Sequence, residues 1–191
     1  MSDPLSDVVR LLHPRAVFAN VISGKGQWAV RYAAYGQPGF CIVLHGSAVL
    51  AVHGHPPITL RAGDFVLLPT TPPFTLGSLQ PAPPVFIDPA VVPGGRGELR
   101  HGDPHGPADM RSLGGAFLFD TPDGGLLAAM LPAVVHVPGS RRLQRLVRMV
   151  GEEYAAQRPG TDYMLSRLVE MLLVEAMRAG TTACRDRKSV V

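Results

Sequence analysis

Cysteine is nearly absent from this chain: its 191 residues include two, Cys41 and Cys184. Two isolated thiols supply neither a disulfide framework nor a zinc knuckle. Charged residues are scarce too, at 17% against 46% hydrophobic, so the chain is too apolar to be disordered throughout. Long uncharged runs are missing, and none approaches the ~20 apolar residues needed to cross a bilayer. The opening Met-Ser-Asp-Pro-Leu-Ser-Asp lacks the basic and apolar regions of a signal peptide. A soluble cytoplasmic protein is the expectation. Lysine is rare: 16 of the 18 basic residues are Arg, which a GC-rich genome explains as well as phosphate binding does.

Glycine and proline are plentiful, 21 and 19 residues, about one position in five. That load breaks helices repeatedly and excludes a helical bundle over the whole chain. The net charge of +3 is uneven: residues 1–138 carry eight basic and nine acidic side chains, residues 139–191 ten and six. A DNA-reading domain normally shows a denser basic stripe than this.

The pattern divides into three parts. Residues 5–12 read as a short helix with Ser6 or Asp7 as cap. From Ala16 to Leu76, short apolar or alternating runs (AVFANVI, QWAVRYAA, FCIVLHG, AVLAVHG, PITLRAG, DFVLLP) are separated by turn residues, the mark of an antiparallel sandwich or barrel. Residues 77–110 read as a long polar excursion containing one apolar piece, PPVFIDPAVV, and a Gly94-Gly95-Arg96-Gly97 tip. Strand pattern returns at 113–119 and 133–137. Residues 140–157 and about 162–179 then show helical periodicity, split by Pro159-Gly160. The expected division is a β-barrel over 1–138, a helical arm over 139–180, and a tail or truncated linker over 181–191.

The segment from Phe40 to Leu76 resembles a cupin barrel, in which a strand enters a tight Gly turn and a later Gly-Asp opens a strand ending in Pro. Gly46 matches the first turn, Gly63 and Asp64 the second, and Pro69 the Pro before the motif's usual His. The whole order is similar to the effector-binding domain of AraC-type transcriptional regulators with a cupin-like sensor. That order runs from a helix at Asp-Pro-Leu-Ser-Asp-Val through the cupin segment and a Gly-Gly-Ala-Phe-Leu-Phe strand to two closing helices. The resemblance covers about residues 3–180. It implies a mainly β fold, a cupin-like jelly-roll antiparallel β-barrel followed by a C-terminal pair of α-helices. It also implies an unidentified small-molecule effector, a homodimer formed by the C-terminal helices, and DNA contact only through a C-terminal helix-turn-helix domain not present in this chain. Leu165, Leu168, Met171 and Leu172 are the candidate dimer residues.

Catalytic chemistry finds little support in the residues. A cupin metal site uses two His and a carboxylate from the first motif and a His from the second. Before Gly46 stand Arg31, Tyr32, Tyr35 and Phe40, and Phe74 occupies the place of the later His. No metal, no cofactor and no catalytic residue is expected. His53 and His55, like His101 and His105, read as solvated loop histidines. No nucleophile elbow, phosphate loop or dinucleotide fingerprint occurs. What remains is a barrel lumen, for which Trp28, Arg31, Tyr32, Phe40, Phe74 and Phe117 are candidate lining residues. Strand parity allows only one of Trp28 and Arg31 to point inward without a bulge. Cys41 reads as a buried free thiol. The alternative is a stand-alone small cupin, either a metal-dependent enzyme with atypical ligands or a non-catalytic binding protein.

Overall fold

A computed structural model describes residues 3–88, 97–119 and 124–188; within these, the side chains at positions 18, 19 and 180–188 are left aside. The chain opens with α1 (Pro4–Leu12). Its cap is Asp3, one turn earlier than expected: the Leu5 N–H donates to Asp3 Oδ1 at 3.2 Å and the Ser6 hydroxyl to Oδ2 at 2.9 Å. Ten strands follow: β1 (Arg15–Lys25), β2 (Ala29–Tyr32), β3 (Gly39–His45), β4 (Ser47–Val52), β5 (Ile58–Arg61), β6 (Phe65–Leu68), β7 (Phe74–Gly77), β8 (Val85–Ile87), β9 (Glu98–Gly102) and β10 (Met110–Leu118). Then come α2 (Gly124–Met130), β11 (Val135–Val137), α3 (Arg141–Ala156) and α4 (Thr161–Lys188).

Both turns of the cupin segment have a physical cause. Gly46 joins β3 to β4 with φ of 73°, and a Cβ there would overlap the carbonyl oxygen of Asp109. Gly63 takes φ of 93° before β6. The adjoining Asp64 carboxylate accepts the Arg61 N–H at 3.0 Å, the Gly139 N–H at 2.9 Å and lies 3.0 Å from His136 Nε2. One buried carboxylate thus ties the β5–β6 turn to β11 and to the entrance of α3.

The strands form two sheets. Six are ordered β11-β6-β3-β10-β1-β9 and five β5-β4-β7-β2-β8. The architecture is mainly β with a C-terminal helix pair, as expected, but the sheets do not close into a barrel, and they are mixed. β9 pairs parallel with β1, and β8 parallel with β2. Both parallel strands lie in the stretch read as an excursion, where pairing with distant strands makes up for weak local periodicity. Residues 89–96, including Gly94, Gly95 and Arg96, lie outside the described residues.

One apolar layer lies between the sheets and a second between the six-stranded sheet and the helices. In the second, α3 contributes Leu143, Leu146, Val147 and Val150, and α4 contributes Leu165, Leu168, Val169, Leu172 and Leu173. They cover Phe40, Ile42, Phe65, Leu67, Leu113 and Phe117 of the sheet. Glu153 fastens the α3–α4 corner, accepting the Thr161 hydroxyl at 2.7 Å and Arg158 at 2.8 Å. α4 continues through Gly180 to Lys188, where a tail was expected from residue 181. Residues 189–191 lie outside the described residues. Among the described residues, no helix is long and apolar enough to cross a membrane.

Candidate functional site

Alternation along β2 settles which side chains enter the space between the sheets. Trp28, Val30 and Tyr32 are buried there, and Arg31 is exposed on the outer face. Tyr32 stacks on Phe74 of the neighbouring β7, with ring centroids 4.8 Å apart. Of the six candidate lining residues, Trp28, Tyr32 and Phe74 therefore belong to the intersheet layer. Arg31, Phe40 and Phe117 do not. Phe40 and Phe117 point from the six-stranded sheet toward the helices, with ring centroids 5.0 Å apart, because they alternate with the inward Cys41 and Ala116.

The six-stranded sheet offers the lumen an unusual floor. Cys41 and Val43 of β3 and Met110 and Ser112 of β10 share its inner face, next to Gly114. Ser112 is fully buried, and the one group offered to its Oγ is the adjoining Cys41 thiol, outside good hydrogen-bond geometry. Tyr32, 8% exposed, has a buried Oη with no hydrogen-bond partner. The cost of leaving such an atom unpaired is about 1–3 kcal/mol, so two in one layer require an explanation. Ser23 Oγ is also unpartnered, but it sits on the other face of β1 with Val21.

A third orphan closes the other end. His101 of β9 stacks on Trp28, ring centroids 5.8 Å apart, with its Nε2 buried and unpartnered. Close approach there requires Gly24, because a Cβ at that position would fall inside the indole. Burial pushes the His101 pKa down, which favours the neutral ring. Burial likewise raises the Tyr32 phenol, with a smaller push from nearby Cys41. The Cys41 thiol is raised to about 11, again by burial, partly offset by the neighbouring Ser112 hydroxyl. These side chains stay uncharged at neutral pH.

Cys41 is nonetheless half-buried, although it stands on the inner face of a central strand. Opposite it, a Cβ added to Gly114 would meet nothing nearer than a backbone oxygen at 3.7 Å. Farther along that face Ala116 is half-buried and Val17 is 43% exposed. β1 and β10, at 11 and 9 residues, are longer than the strands of the five-stranded sheet, which run from 3 to 6. Val52, Phe74 and Ile87 provide the apolar wall on the Tyr32 side.

Sequence reading missed Ser112, Gly114 and the inward role of His101. The first two had a partial signal: Ser112 and Gly114 alternate with Leu113 and Gly115, which places a hydroxyl and a glycine on the face opposite Leu113. His101 had none, because β9 forms only through its parallel contact with β1. Among the described residues no group of three His, Cys, Asp or Glu side chains converges on a metal position. His53, His55 and His105 are exposed.

The candidate dimer residues are corrected in a similar way. Leu165, Leu168 and Leu172 are buried in the protomer's own helix–sheet core, out of reach of a partner, whereas Met171 is 46% exposed. Tyr163 and Met164 are exposed as well, with Arg167 lying 5.3 Å from the Tyr163 ring centroid.

A profile of the cupin family matches residues 3–181. No curated protein matches the chain. Similar solved structures include a variant of apo ToxT from Vibrio cholerae, at a TM-score of 0.46 and 11% identity, covering 86% of this chain and 55% of that one. ToxT with a bound unsaturated fatty acid gives 0.42 and 11%, covering 85% and 51%. YhaK from Escherichia coli gives 0.34 and 11%, covering 72% and 47%. The chain spans just over half the length of the ToxT chains it matches.

Proposed function

This chain belongs to the cupin family, and we propose that it is the effector-sensing and dimerisation domain of an AraC-type transcriptional regulator. The observation that carries the sensing role is the lumen: apolar walls, three buried polar atoms without good hydrogen bonds, and a face left bare of side chain at Gly114. Such an interior has hydrogen-bonding capacity that a ligand can satisfy. The chain's own part is non-catalytic. Effector binding would act by favouring one conformational state, which changes how attached DNA readers are presented. Support for the regulator context comes from the order of elements in the sequence, from the α1 cap to the two closing helices.

Homodimerisation would use the part of α4 that the protomer leaves exposed, around Tyr163, Met164 and Met171, in a twofold contact. Met171→Glu tests it: dimer affinity falls while the stability of the protomer stays within about 0.5 kcal/mol. Sedimentation at several concentrations reads the first and urea unfolding the second. An unchanged dimer constant overturns this interface.

The regulator assignment is tested by the native gene beyond codon 191. A reading frame that continues for roughly another hundred residues with two helix-turn-helix patterns supports it. A native stop codon there leaves DNA binding without a reader in this polypeptide and overturns it.

A further inference from the structure

The two hydroxyls of the lumen say what kind of molecule it would hold. Tyr32 Oη comes from the five-stranded sheet and Ser112 Oγ from the six-stranded one, and both are buried in the layer between the sheets into which Cys41 also packs. Ser112 pairs with Val43 across the strands and Gly114 with Cys41, so the hydroxyl and the thiol are diagonal neighbours on one face. Either hydroxyl can donate or accept.

Charge is missing from this end of the lumen. Among the described residues, Arg31 points to the outer face and Lys25 is engaged with Asp103 at 3.3 Å and the His105 carbonyl at 2.9 Å. Arg15 shares the face of Val17 but is exposed at the very start of β1. Asp64 has its three hydrogen-bond partners already, and His101 is held toward its neutral form. An anion or cation entering between Tyr32 and Ser112 would lose its water and gain no countercharge, which makes burial far costlier than for a neutral polar group. The surrounding surface is Val43, Val52, Phe74, Ile87, the Cys41 thiol and the bare backbone at Gly114.

We propose that the lumen selects an uncharged ligand, an apolar body bearing one carbonyl, amide or hydroxyl group that hydrogen-bonds Tyr32 and Ser112. This rests on the reading of the lumen as a small-molecule site. The face left bare of side chain at Gly114, beside the Cys41 thiol, receives the apolar body.

Octanamide and octanoate make a matched test, because they share chain length and head-group shape and differ in charge. The probe protein is the full chain carrying Cys184→Ser, which leaves Cys41 as its one thiol. Calorimetric titration at neutral pH gives affinity, and the rate of Cys41 alkylation by iodoacetamide reports where the probe sits. Octanamide is expected to bind at least about tenfold tighter than octanoate and to slow Cys41 alkylation. Tyr32→Phe and Ser112→Ala are each expected to weaken octanamide by about fivefold or more, with thermal unfolding of the unliganded protein unchanged.

Octanoate binding as tightly as octanamide, with Cys41 protected, overturns the selection for neutral ligands and leaves the lumen reading standing. Tight octanamide binding indifferent to both variants overturns the hydroxyl anchor. Binding that leaves Cys41 unprotected, or no binding of either probe, removes the lumen as a small-molecule site and the proposal with it.

Discussion

On its outer face the six-stranded sheet buries Phe40, Ile42, Phe65, Leu67, Leu113 and Phe117 beneath helices; on its inner face the same strands present Cys41, Val43, Ser112 and Gly114. The outer layer is large, apolar and interlocked. The inner one contains small residues, the half-buried Cys41 and hydroxyls without good hydrogen bonds. Both are interiors of one domain, and both are built on the same strands. Their difference separates a layer of large interlocked apolar side chains from one where Tyr32, Ser112 and His101 each bury a polar atom without a good hydrogen bond. A sheet can do both because successive side chains leave it on opposite sides.

The largest effect should come from the outer layer. Phe117→Ala removes a buried ring between Phe40 and the helices, and should cost about 3–5 kcal/mol in urea unfolding. A cost below that of a typical surface change would mean that this layer is loosely packed and the contrast between the two faces is false.

Next in size is the chemistry of Cys41. With its thiol raised to about 11 by burial, little thiolate exists at pH 8. In the Cys184→Ser background, alkylation by iodoacetamide should be about two orders of magnitude slower than for free cysteine, and should accelerate as pH rises toward 11. Reaction at the free rate would show an inner face no different from solvent.

The α3–α4 corner gives a smaller effect, visible in acid. The Thr161 hydroxyl, and then Arg158, hold the Glu153 carboxyl below its ordinary value of 4.5. Its folded pKa is depressed, so its contribution to stability is complete above that value and drains away as pH falls below it. Glu153→Gln should lower stability at neutral pH and flatten the decline below pH 4.5. Parallel curves for parent and variant would deny the carboxylate this role.

The smallest change should be the most telling. Tyr32→Phe and Ser112→Ala remove hydroxyls without good hydrogen bonds, so the unliganded protein should stay within about 1 kcal/mol of its parent or gain slightly. Losses as large as that of Phe117→Ala would show both groups to be fully bonded, and the two faces would then be equally committed to stability.

Much of this contrast was legible in one dimension. The runs from Phe40 to Leu76 become β3 to β7, with Gly46 and Gly63 at positive-φ turns and Asp64 beside the second. Residues 140–157 and 162–179 become α3 and the body of α4. Trp28, Tyr32 and Phe74 pack in the layer between the sheets. Phe40 and Phe117 were misplaced because aromatic character marks burial without saying on which side of a sheet it occurs. Leu165, Leu168 and Leu172 were assigned to a partner because an apolar helix face looks the same whether a sheet or a second subunit covers it.

By itself the sequence determined the local periods: alternation of two for strands, 3.6 for helices, and glycine where the backbone must turn against L-residue sterics. It also carried the order of elements that places the chain among cupins. Only the tertiary structure decided which face of each strand looks inward, that β8 and β9 join their sheets in parallel, and that the Ser112 and Tyr32 hydroxyls are buried in one layer between the sheets. Those outcomes depend on contacts between residues far apart in the chain, and no local pattern encodes what lies across the gap between two sheets.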